Sequence, residues 1–355
     1  MSKTAVITGV TGQDGFYLAH HLLHLGYRVV GVQRRTSTPN DERLRTLRGS
    51  PNFVVVDGDI TDVTSLQDIV RDFQPDEFYN LAAMSHVGMS WKYPRMTAET
   101  TGIGVLNCLE ALRLEKPDCR FYQAGSSEQF GNSATTKMAV PFSIPRWNIH
   151  ADSFITSLNE ASPMNPESPY AAAKCYGHDI VQVYRNSYDM HASCGILFNH
   201  ESPLRGETFV TRKITRALAR IYHGFDKYVS LGNMAACRDW GFAGDYVKAM
   251  HLMLQQDEPD DYVIATGETH SIQTFLDIAC AYFGLDPDEV LKIDDQFKRP
   301  KDVEVLLGDA NKAESVLGWK REKSFEDLVR VMCKHDKLYY SPSEKQRGKA
   351  DEHLL

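Results

Sequence analysis

The 355-residue sequence lacks the features of a membrane protein or of a small disulfide-stabilised secreted protein. No apolar run approaches the roughly 18 residues that a membrane-spanning helix requires. The seven cysteines are scattered, odd in number and without a CxxC pair, so we expect neither a disulfide framework nor a zinc site. The N-terminal MSKTAVITG enters strand-like sequence at once and leaves no room for a secretory signal. We therefore expect a cytoplasmic protein that holds no metal and does not associate with a membrane.

An excess of positive charge is also missing. The chain has 39 Lys and Arg against 47 Asp and Glu, which gives a formal net charge of −8. This balance argues against a broad nucleic-acid surface, which requires a basic face. A small phosphorylated ligand remains compatible with it, because a few local arginines can dominate one pocket.

Strand-like and helix-like runs alternate over the first two hundred residues. TAVITG, RVVGVQR, NFVVVDGDI, DEFYNLAA and CRFYQAGSS predict strands, and the segments between most of them have helical spacing. Such alternation predicts an α/β fold with a Rossmann-like, doubly wound parallel sheet. Sheets of this kind bind ligands at the carboxyl ends of their strands.

The pattern divides the chain into three parts. Residues 1–200 are predicted to form a Rossmann domain, interrupted by an insertion at 133–166 that contains several prolines. Residues 201–340 have a mixed pattern, in which the strand-like YVSLGN and DYVIATG alternate with helical segments. We predict that this part is a smaller mixed α/β domain that mainly binds substrate. Residues 341–355 form a polar tail, which we expect to be loose.

The stretch AVITGVTGQDG places three glycines between the first strand and the first helix. Glycine lets the backbone approach a pyrophosphate closely, and the positive end of a helix dipole favours its charge. We predict that this turn binds a dinucleotide through Gly9, Thr11, Gly12, Gln13, Asp14 and Gly15.

The second strand ends without the acidic residue that NAD enzymes often use to bind the ribose 2′-hydroxyl. Arg34 and Arg35 occupy that region instead, and guanidinium groups suit a 2′-phosphate. The sequence therefore favours NADP. Further cofactor contacts are expected after the third and fourth strands, from Asp59, Ile60, Leu81, Ala82, Ala83 and Ser85.

Tyr170 and Lys174 form a YxxxK pattern, whose spacing places both side chains on one helix face. We expect the Lys174 ammonium to lower the pKa of the phenol and to make Tyr170 a usable base. In AGSSEQFG, Ser126 and Ser127 supply hydroxyls at a strand end. Glu128 beside them is a carboxylate that a simple dehydrogenase would not need, whereas a dehydratase needs one to remove a C–H proton next to a ketone.

These and further motifs resemble those of the extended short-chain dehydrogenase/reductases and, more specifically, of the GDP-mannose 4,6-dehydratase family. The resemblance runs from about residue 4 to 335 through ITGVTGQDG, SPYAAAK, ILFNHESP, FVTRKI, RDWG and VIATGE. It implies catalytic roles for Ser126, Glu128, Tyr170 and Lys174, with Ser126 replacing the family's threonine. It implies cofactor contacts at Lys174, His200 and Arg205, and substrate contacts at Ser85, Ser127, Asn199, Lys213, Arg238, Arg299 and Glu304.

The chemistry that this resemblance implies is redox-neutral, with hydride leaving the sugar C4 for NADP and returning to C6 after water is lost. GDP-mannose is the expected substrate and a homodimer or homotetramer the expected assembly. The same dehydration of another GDP-sugar, such as GDP-manno-heptose, is an alternative, and so is a GDP-sugar reductase or epimerase. A catalytically silent subunit would be expected to lose Tyr170, Lys174 or Glu128, and this chain keeps all three.

Three features depart from the family's pattern. Gly125 stands where the family often has serine, and Met96 stands where a tyrosine is usual. The insertion at 133–166 is longer than the family's connection there. Because it lies between Glu128 and Tyr170, we expect it to emerge beside the active site as a lid, a pocket wall or an oligomer contact.

Overall fold

A computed structural model of the chain describes residues 2–38, 41–132, 142–144, 149–151, 157–294 and 305–354. Arg299, Glu304 and most of the insertion at 133–166 lie outside these residues. In chain order the strands are β1 (Thr4–Thr8), β2 (Arg28–Gln33), β3 (Phe53–Asp57), β4 (Glu77–Asn80), β5 (Arg120–Ala124), β6 (Phe142–Ile144), β7 (Ile149–Ala151), β8 (Ala192–Leu197), β9 (Asn199–Glu201), β10 (Val229–Leu231), β11 (Cys237–Arg238), β12 (Trp240–Phe242), β13 (Tyr262–Ile264), β14 (His270–Ser271) and β15 (Leu291–Ile293).

The helices flank these strands and fill the connections between them. They are α1 (Gln13–His24), α2 (Val63–Phe73), α3 (Val87–Ser90), α4 (Pro94–Thr97), α5 (Gly104–Glu115), α6 (Pro169–Tyr188), α7 (Val210–Tyr222), α8 (Ala243–Met253), α9 (Ile272–Phe283), α10 (Pro287–Val290), α11 (Asn311–Leu317), α12 (Phe325–Tyr339) and α13 (Glu344–Arg347). A π-helical turn, Ala98–Ile103, joins α4 to α5. None of the helices in the described ranges combines the length and the apolar character needed to cross a bilayer.

Seven strands form one parallel sheet in the order β13-β8-β5-β4-β1-β2-β3. Its strands are apolar on both faces, as expected for a sheet that helices cover on both sides. In β1, Ala5 and Ile7 contribute to one hydrophobic core and Val6 to the other. The predicted doubly wound α/β fold is confirmed.

Local sequence signals set several helix ends. Asp62 caps α2 by accepting hydrogen bonds from the amides of Thr64 and Ser65. Ser168 caps α6 in the same manner, with Pro169 at the first helical position, where a missing amide hydrogen costs nothing. Ser168 and Pro169 thus fix the start of α6, one residue before Tyr170.

The central sheet extends beyond residue 200. β13 pairs with β8, from Tyr262 beside Gly195 to Ile264 beside Leu197, and α8 packs on α1. The expected division at residue 200 therefore does not coincide with the limit of the sheet. As a division between cofactor and substrate binding it stays a prediction. The other strands after β8 form two-stranded pairs, β9 with β12, β11 with β14 and β10 with β15.

The last residues differ from the loose tail that their polarity suggested. α13 and a 3₁₀ turn, Ala350–His353, fold back so that Leu354 joins the core. The Tyr17 hydroxyl donates a 2.5 Å hydrogen bond to the carbonyl of Leu354. Two apolar side chains of this segment, Ala350 and Leu354, are both about 95% buried or more.

Candidate active site

A cleft of about 870 Å³ opens at the carboxyl ends of β1, β4, β5 and β8. Its size suits a small-molecule ligand, and it lies where a doubly wound sheet binds one. It brings together many of the side chains that the sequence singled out, namely Asp14, Leu81, Ala83, Ser85, Ser126, Ser127, Glu128, Tyr170, Lys174, Asn199, His200, Arg205, Lys213 and Arg238.

The glycine turn after β1 is shaped for close approach. Gly9 has φ +68°, and a Cβ there would lie 2.9 Å from the amide nitrogen of Ala82. A Cβ on Gly15 would lie 2.5 Å from the carbonyl oxygen of Gly9. Gly12 precedes α1, and no described side chain caps that helix end. The first amides of α1, including those of Gln13 and Asp14, therefore face a cradle that fits a pyrophosphate.

An arginine that the sequence did not single out supports this turn. Arg43, in the 3₁₀ turn Glu42–Leu44, donates a 3.1 Å hydrogen bond to the carbonyl of Thr11. Burial lowers the pKa of Arg43, and the nearby positive charge of Arg212 acts in the same direction. The segment DERLRTLRG contains two other arginines, so its composition offers no signal that would have distinguished Arg43.

The remaining predicted cofactor residues do not line the cleft. Arg34 and Arg35 directly follow β2 and are exposed. The Asp59 carboxylate accepts hydrogen bonds from the amide (2.9 Å) and the hydroxyl (2.8 Å) of Thr61, and it thereby orders the turn after β3. Ile60 is buried in the core. Because β2 and β3 are the next strands after β1, these residues extend the same sheet edge beyond the glycine turn.

An ion pair joins the start of α1 to β9. His200 Nε2 lies 2.8 Å from Asp14 Oδ2, and His200 Nδ1 lies 2.8 Å from the carbonyl oxygen of Phe198. Burial disfavours the charged form of His200, but the charge of Asp14 and the hydrogen bonds to Asp14 and to the Phe198 carbonyl together raise the pKa of His200. Burial likewise works against the charge of Asp14, whose pKa is nevertheless lowered, mainly by His200. Gln13 extends the link by donating to the carbonyl of His200 at 3.1 Å.

Tyr170 and Lys174 lie on the first turns of α6 and are both buried. The Lys174 ammonium donates a 2.6 Å hydrogen bond to the carbonyl of Ala124 at the end of β5. Burial lowers the pKa of Lys174 to about 8, against the opposing charges of Asp14 and Cys194.

The phenol differs from the expectation that Lys174 would lower its pKa. Burial raises the pKa of Tyr170 to about 12, while a hydrogen bond with Ser126 acts in the opposite direction. Burial dominates here because the Lys174 ammonium is directed at the Ala124 carbonyl and stands 5.8 Å from the centre of the Tyr170 ring.

Glu128 is carried by a short 3₁₀ turn, Ser127–Phe130, immediately after β5. Ser126 and Gln129 form a capping box, in which Ser126 Oγ accepts from the Glu128 amide and Gln129 Oε1 accepts from the Ser126 amide at 2.6 Å. A Cβ on Gly125 would lie 2.8 Å from Gln129 Oε1 and 2.8 Å from the Gly195 carbonyl oxygen. The departure at Gly125 thus matches the tight packing of this turn.

Three basic side chains also line the cleft. Arg238 is mostly buried and donates to the carbonyl of Cys237 at 2.8 Å. Burial lowers the pKa of Lys213, with the charge of Asp294 opposing. The Arg205 guanidinium stacks 3.9 Å above the Phe209 ring. Three cations around one cleft favour an anionic ligand such as a diphosphate.

Comparisons of this sequence with a family model and with individual proteins agree on one family. A family model described as GDP-mannose 4,6 dehydratase matches residues 6–144 and 152–332. GDP-mannose 4,6 dehydratase 1 of Arabidopsis thaliana is 46% identical over 344 residues, which cover 94% of this chain and 90% of the plant protein. GDP-mannose 4,6-dehydratase of Sinorhizobium fredii strain HH103 is 46% identical over 361 residues, covering 95% and 97%.

Solved structures with lower identity share the fold. A UDP-glucuronic acid 4-epimerase from Bacillus cereus, in complex with UDP-glucuronic acid and NAD, superposes with a TM-score of 0.79 at 20% identity, covering 95% of this chain and 100% of that one. DesIV, a dTDP-glucose 4,6-dehydratase from Streptomyces venezuelae with NAD and TYD bound, gives a TM-score of 0.78 at 22% identity, covering 93% and 95%.

Proposed function

This chain belongs to the GDP-mannose 4,6-dehydratase family, and from that membership we propose that its cleft converts GDP-mannose to GDP-4-keto-6-deoxymannose. The chain is thus a sugar-nucleotide 4,6-dehydratase, a lyase that uses a bound nicotinamide cofactor. One observation supports this reaction above all others. Ser126, Glu128, Tyr170 and Lys174, from two separate elements, meet in one cleft beside the glycine turn.

The residues present fit a dinucleotide. The cradle at Gly9 admits no Cβ, and the uncapped start of α1 favours a pyrophosphate. Lys174 and the Asp14–His200 pair line the same cleft as Tyr170 and would orient the cofactor. The nicotinamide, when bound, accepts hydride from C4 of the sugar and returns it to C6.

Side chains of the protein transfer the protons and assist the departure of the leaving group. Tyr170 takes the proton of the sugar 4-hydroxyl, helped by its hydrogen bond with Ser126. The 4-ketone then acidifies the C5 hydrogen, which the Glu128 carboxylate removes. The C6 hydroxyl leaves as water with a proton from Glu128 or Ser126. After hydride has been delivered to C6, C5 is reprotonated, so that of the two protons taken from the 4-hydroxyl and from C5, one ends in the water and the other at C5. Arg238, Lys213 and Asn199, which line the same cleft, would hold the GDP moiety, with Ser85 and Ser127 beside the sugar.

One assay tests the reaction and its alternatives. The purified chain is incubated with GDP-mannose or GDP-manno-heptose without added reductant, and the products are weighed by mass spectrometry. We expect GDP-mannose to lose about 18 mass units, the mass of one water, because Glu128 supplies the elimination step. Loss from the heptose alone would move the proposal to that sugar, and an unchanged mass with an inverted centre would favour an epimerase.

We propose NADP as the cofactor, since Arg34 and Arg35 follow β2 where an acidic residue would favour NAD. NADP⁺ should bind at least about tenfold more tightly than NAD⁺, because each charge-assisted contact to the 2′-phosphate adds affinity. Replacing both arginines by alanine should remove this preference while leaving NAD⁺ binding unchanged. Equilibrium titration of both coenzymes measures this, and a wild-type preference for NAD⁺ would contradict the assignment.

We also propose a homo-oligomer in the cytoplasm. On α6, Tyr176 and Val183 lie two turns apart on one face and are 37% and 50% exposed, and Ile103 beside them is 44% exposed. A second copy of the chain would cover such a face. Each of the seven cysteines is a free thiol and six are buried, which supports a reducing compartment.

A further inference from the structure

Three neighbouring strands of the central sheet each carry one polar residue at their carboxyl end. Thr8 in β1 lies beside Asn80 in β4, and Asn80 lies beside Gln123 in β5. All three side chains are at most 2% exposed. Buried polar residues in otherwise apolar strands are costly unless they are paired, so this row requires an explanation.

The three side chains form one continuous chain of hydrogen bonds. Thr8 Oγ1 donates to Asn80 Oδ1 at 2.6 Å, and Asn80 Nδ2 donates to Gln123 Oε1 at 2.8 Å. Gln123 Nε2 then donates to the carbonyl of Ala124 at 2.9 Å. At the other end, Thr8 Oγ1 accepts from the amides of Leu81 and Ala82, at 3.1 Å and 3.2 Å.

The donor and acceptor roles in this row of hydrogen bonds are fixed. Main-chain amides can only donate, so the Thr8 hydroxyl accepts from Leu81 and Ala82 and places its single hydrogen on Asn80. The orientations of both side-chain amides follow from that step. All donors therefore point the same way, from the cofactor side of the cleft towards the Ala124 carbonyl, and such aligned bonds strengthen one another.

This row of hydrogen bonds ends on the Ala124 carbonyl oxygen, which also accepts from Lys174. The Ala124 oxygen accepts from Gln123 Nε2 at 2.9 Å and from Lys174 Nζ at 2.6 Å. The two donor nitrogens, Gln123 Nε2 and Lys174 Nζ, therefore lie close together, because both are hydrogen-bonded to one oxygen atom. Because the Gln123 amide presents a partial positive charge to the oxygen that stabilises the ammonium, it competes with Lys174 for that oxygen.

We propose that Gln123 is a positioning residue for Lys174. It fixes the Ala124 carbonyl that accepts from the ammonium, and because it shares this acceptor it makes the Lys174 ammonium easier to deprotonate. The inference rests on the proposed function, in which Lys174 lies beside Tyr170 and orients the cofactor. Thr8 and Asn80 hold Gln123 in its orientation. The charged and titratable groups that also face Lys174 are Asp14 from α1, Cys194 from β8 and Tyr170 from its own helix, and the test leaves these unchanged.

The test measures the titration of Lys174 directly and needs no sugar substrate. The full chain, loaded with NADP⁺, is labelled with carbon-13 at the lysine Cε, and the Lys174 signal is identified by its loss in Lys174→Met. In Gln123→Met, which keeps the length of the side chain but removes the donor, the titration midpoint should rise by about half a pH unit or more. Gln123→Glu retains the acceptor for Asn80 and should raise the midpoint further, by about one unit or more.

Gln255→Met is the matched control. Its amide also bridges buried and charged groups, accepting from Lys3 at 2.9 Å and donating to Glu77 at 3.0 Å, but at the amino ends of the strands. This variant should leave the midpoint of Lys174 unchanged. An unchanged or lowered midpoint in the Gln123 variants would overturn the inference, and so would an equal shift in Gln255→Met. Failure of the wild-type chain to dehydrate GDP-mannose would instead refute the proposed reaction.

Discussion

Tyr170→Phe lowers the turnover of GDP-mannose by a factor of about 10² to 10⁴, the range that one positioned acid–base group contributes. The hydroxyl is the only group that this substitution removes, and its hydrogen bond with Ser126 places it at the sugar 4-hydroxyl in the proposed reaction. The ring itself stays packed, because Tyr170 is 7% exposed on a helix start that Ser168 and Pro169 fix. Steady-state kinetics with saturating cofactor measures the loss, and the Michaelis constant for GDP-mannose should change little.

Tyr122→Phe provides the matched control. Tyr122 is a fully buried tyrosine of β5, and its hydroxyl makes no hydrogen bond with any described residue. Removing a buried hydroxyl without a partner is close to neutral for stability, so turnover should remain near that of the wild type. If Tyr170→Phe retained wild-type turnover, the phenol could not be the base.

Glu128→Gln lowers the rate of water loss by about 10³- to 10⁴-fold while nucleotide binding stays intact. The amide is isosteric with the carboxylate but cannot take the C5 proton. The turn keeps its shape, because the Ser126–Gln129 capping box holds it. Oxidation at C4 does not require Glu128, so bound reduced nicotinamide should accumulate. Rapid mixing followed by absorbance and mass spectrometry separates the two steps.

A substrate with deuterium at C4 sharpens this experiment. In the wild type the label should be found at C6 of the product, whereas in Glu128→Gln it should stay with the reduced cofactor. Glu314→Gln, at an exposed carboxylate of α11, is the control that should behave as wild type. Normal dehydration by Glu128→Gln would show that another group removes the C5 proton.

The strands of the parallel sheet could be predicted because each one is a short apolar run whose end is marked by glycine or polar residues. Gly9 after β1 and the serine pair after β5 mark strand ends that later form the cleft. The spacing of Tyr170 and Lys174 likewise placed both on one face of α6. These signals are local, so they survive in the sequence without knowledge of the fold.

Other parts of the site depend on contacts between distant residues. The acceptor of Lys174 is a main-chain carbonyl, which no side-chain pattern reveals. Arg43 reaches the Thr11 carbonyl only because the segment after β2 folds back towards the glycine turn. A polar residue near the carboxyl end of each of β1, β4 and β5 was the available signal for the Thr8–Asn80–Gln123 row. Polarity alone, however, does not give the register that aligns these residues.

The pairing of β13 with β8 also has a consequence for synthesis. β8 ends at Leu197, but the strand that covers its open edge begins only at Tyr262. At about 5–20 residues per second, a ribosome leaves that edge bare for several seconds. During this interval the nascent chain presents unpaired amides and carbonyls to its surroundings. Chaperone capture, or strand exchange between neighbouring polysomal chains, would act in that window and at that edge.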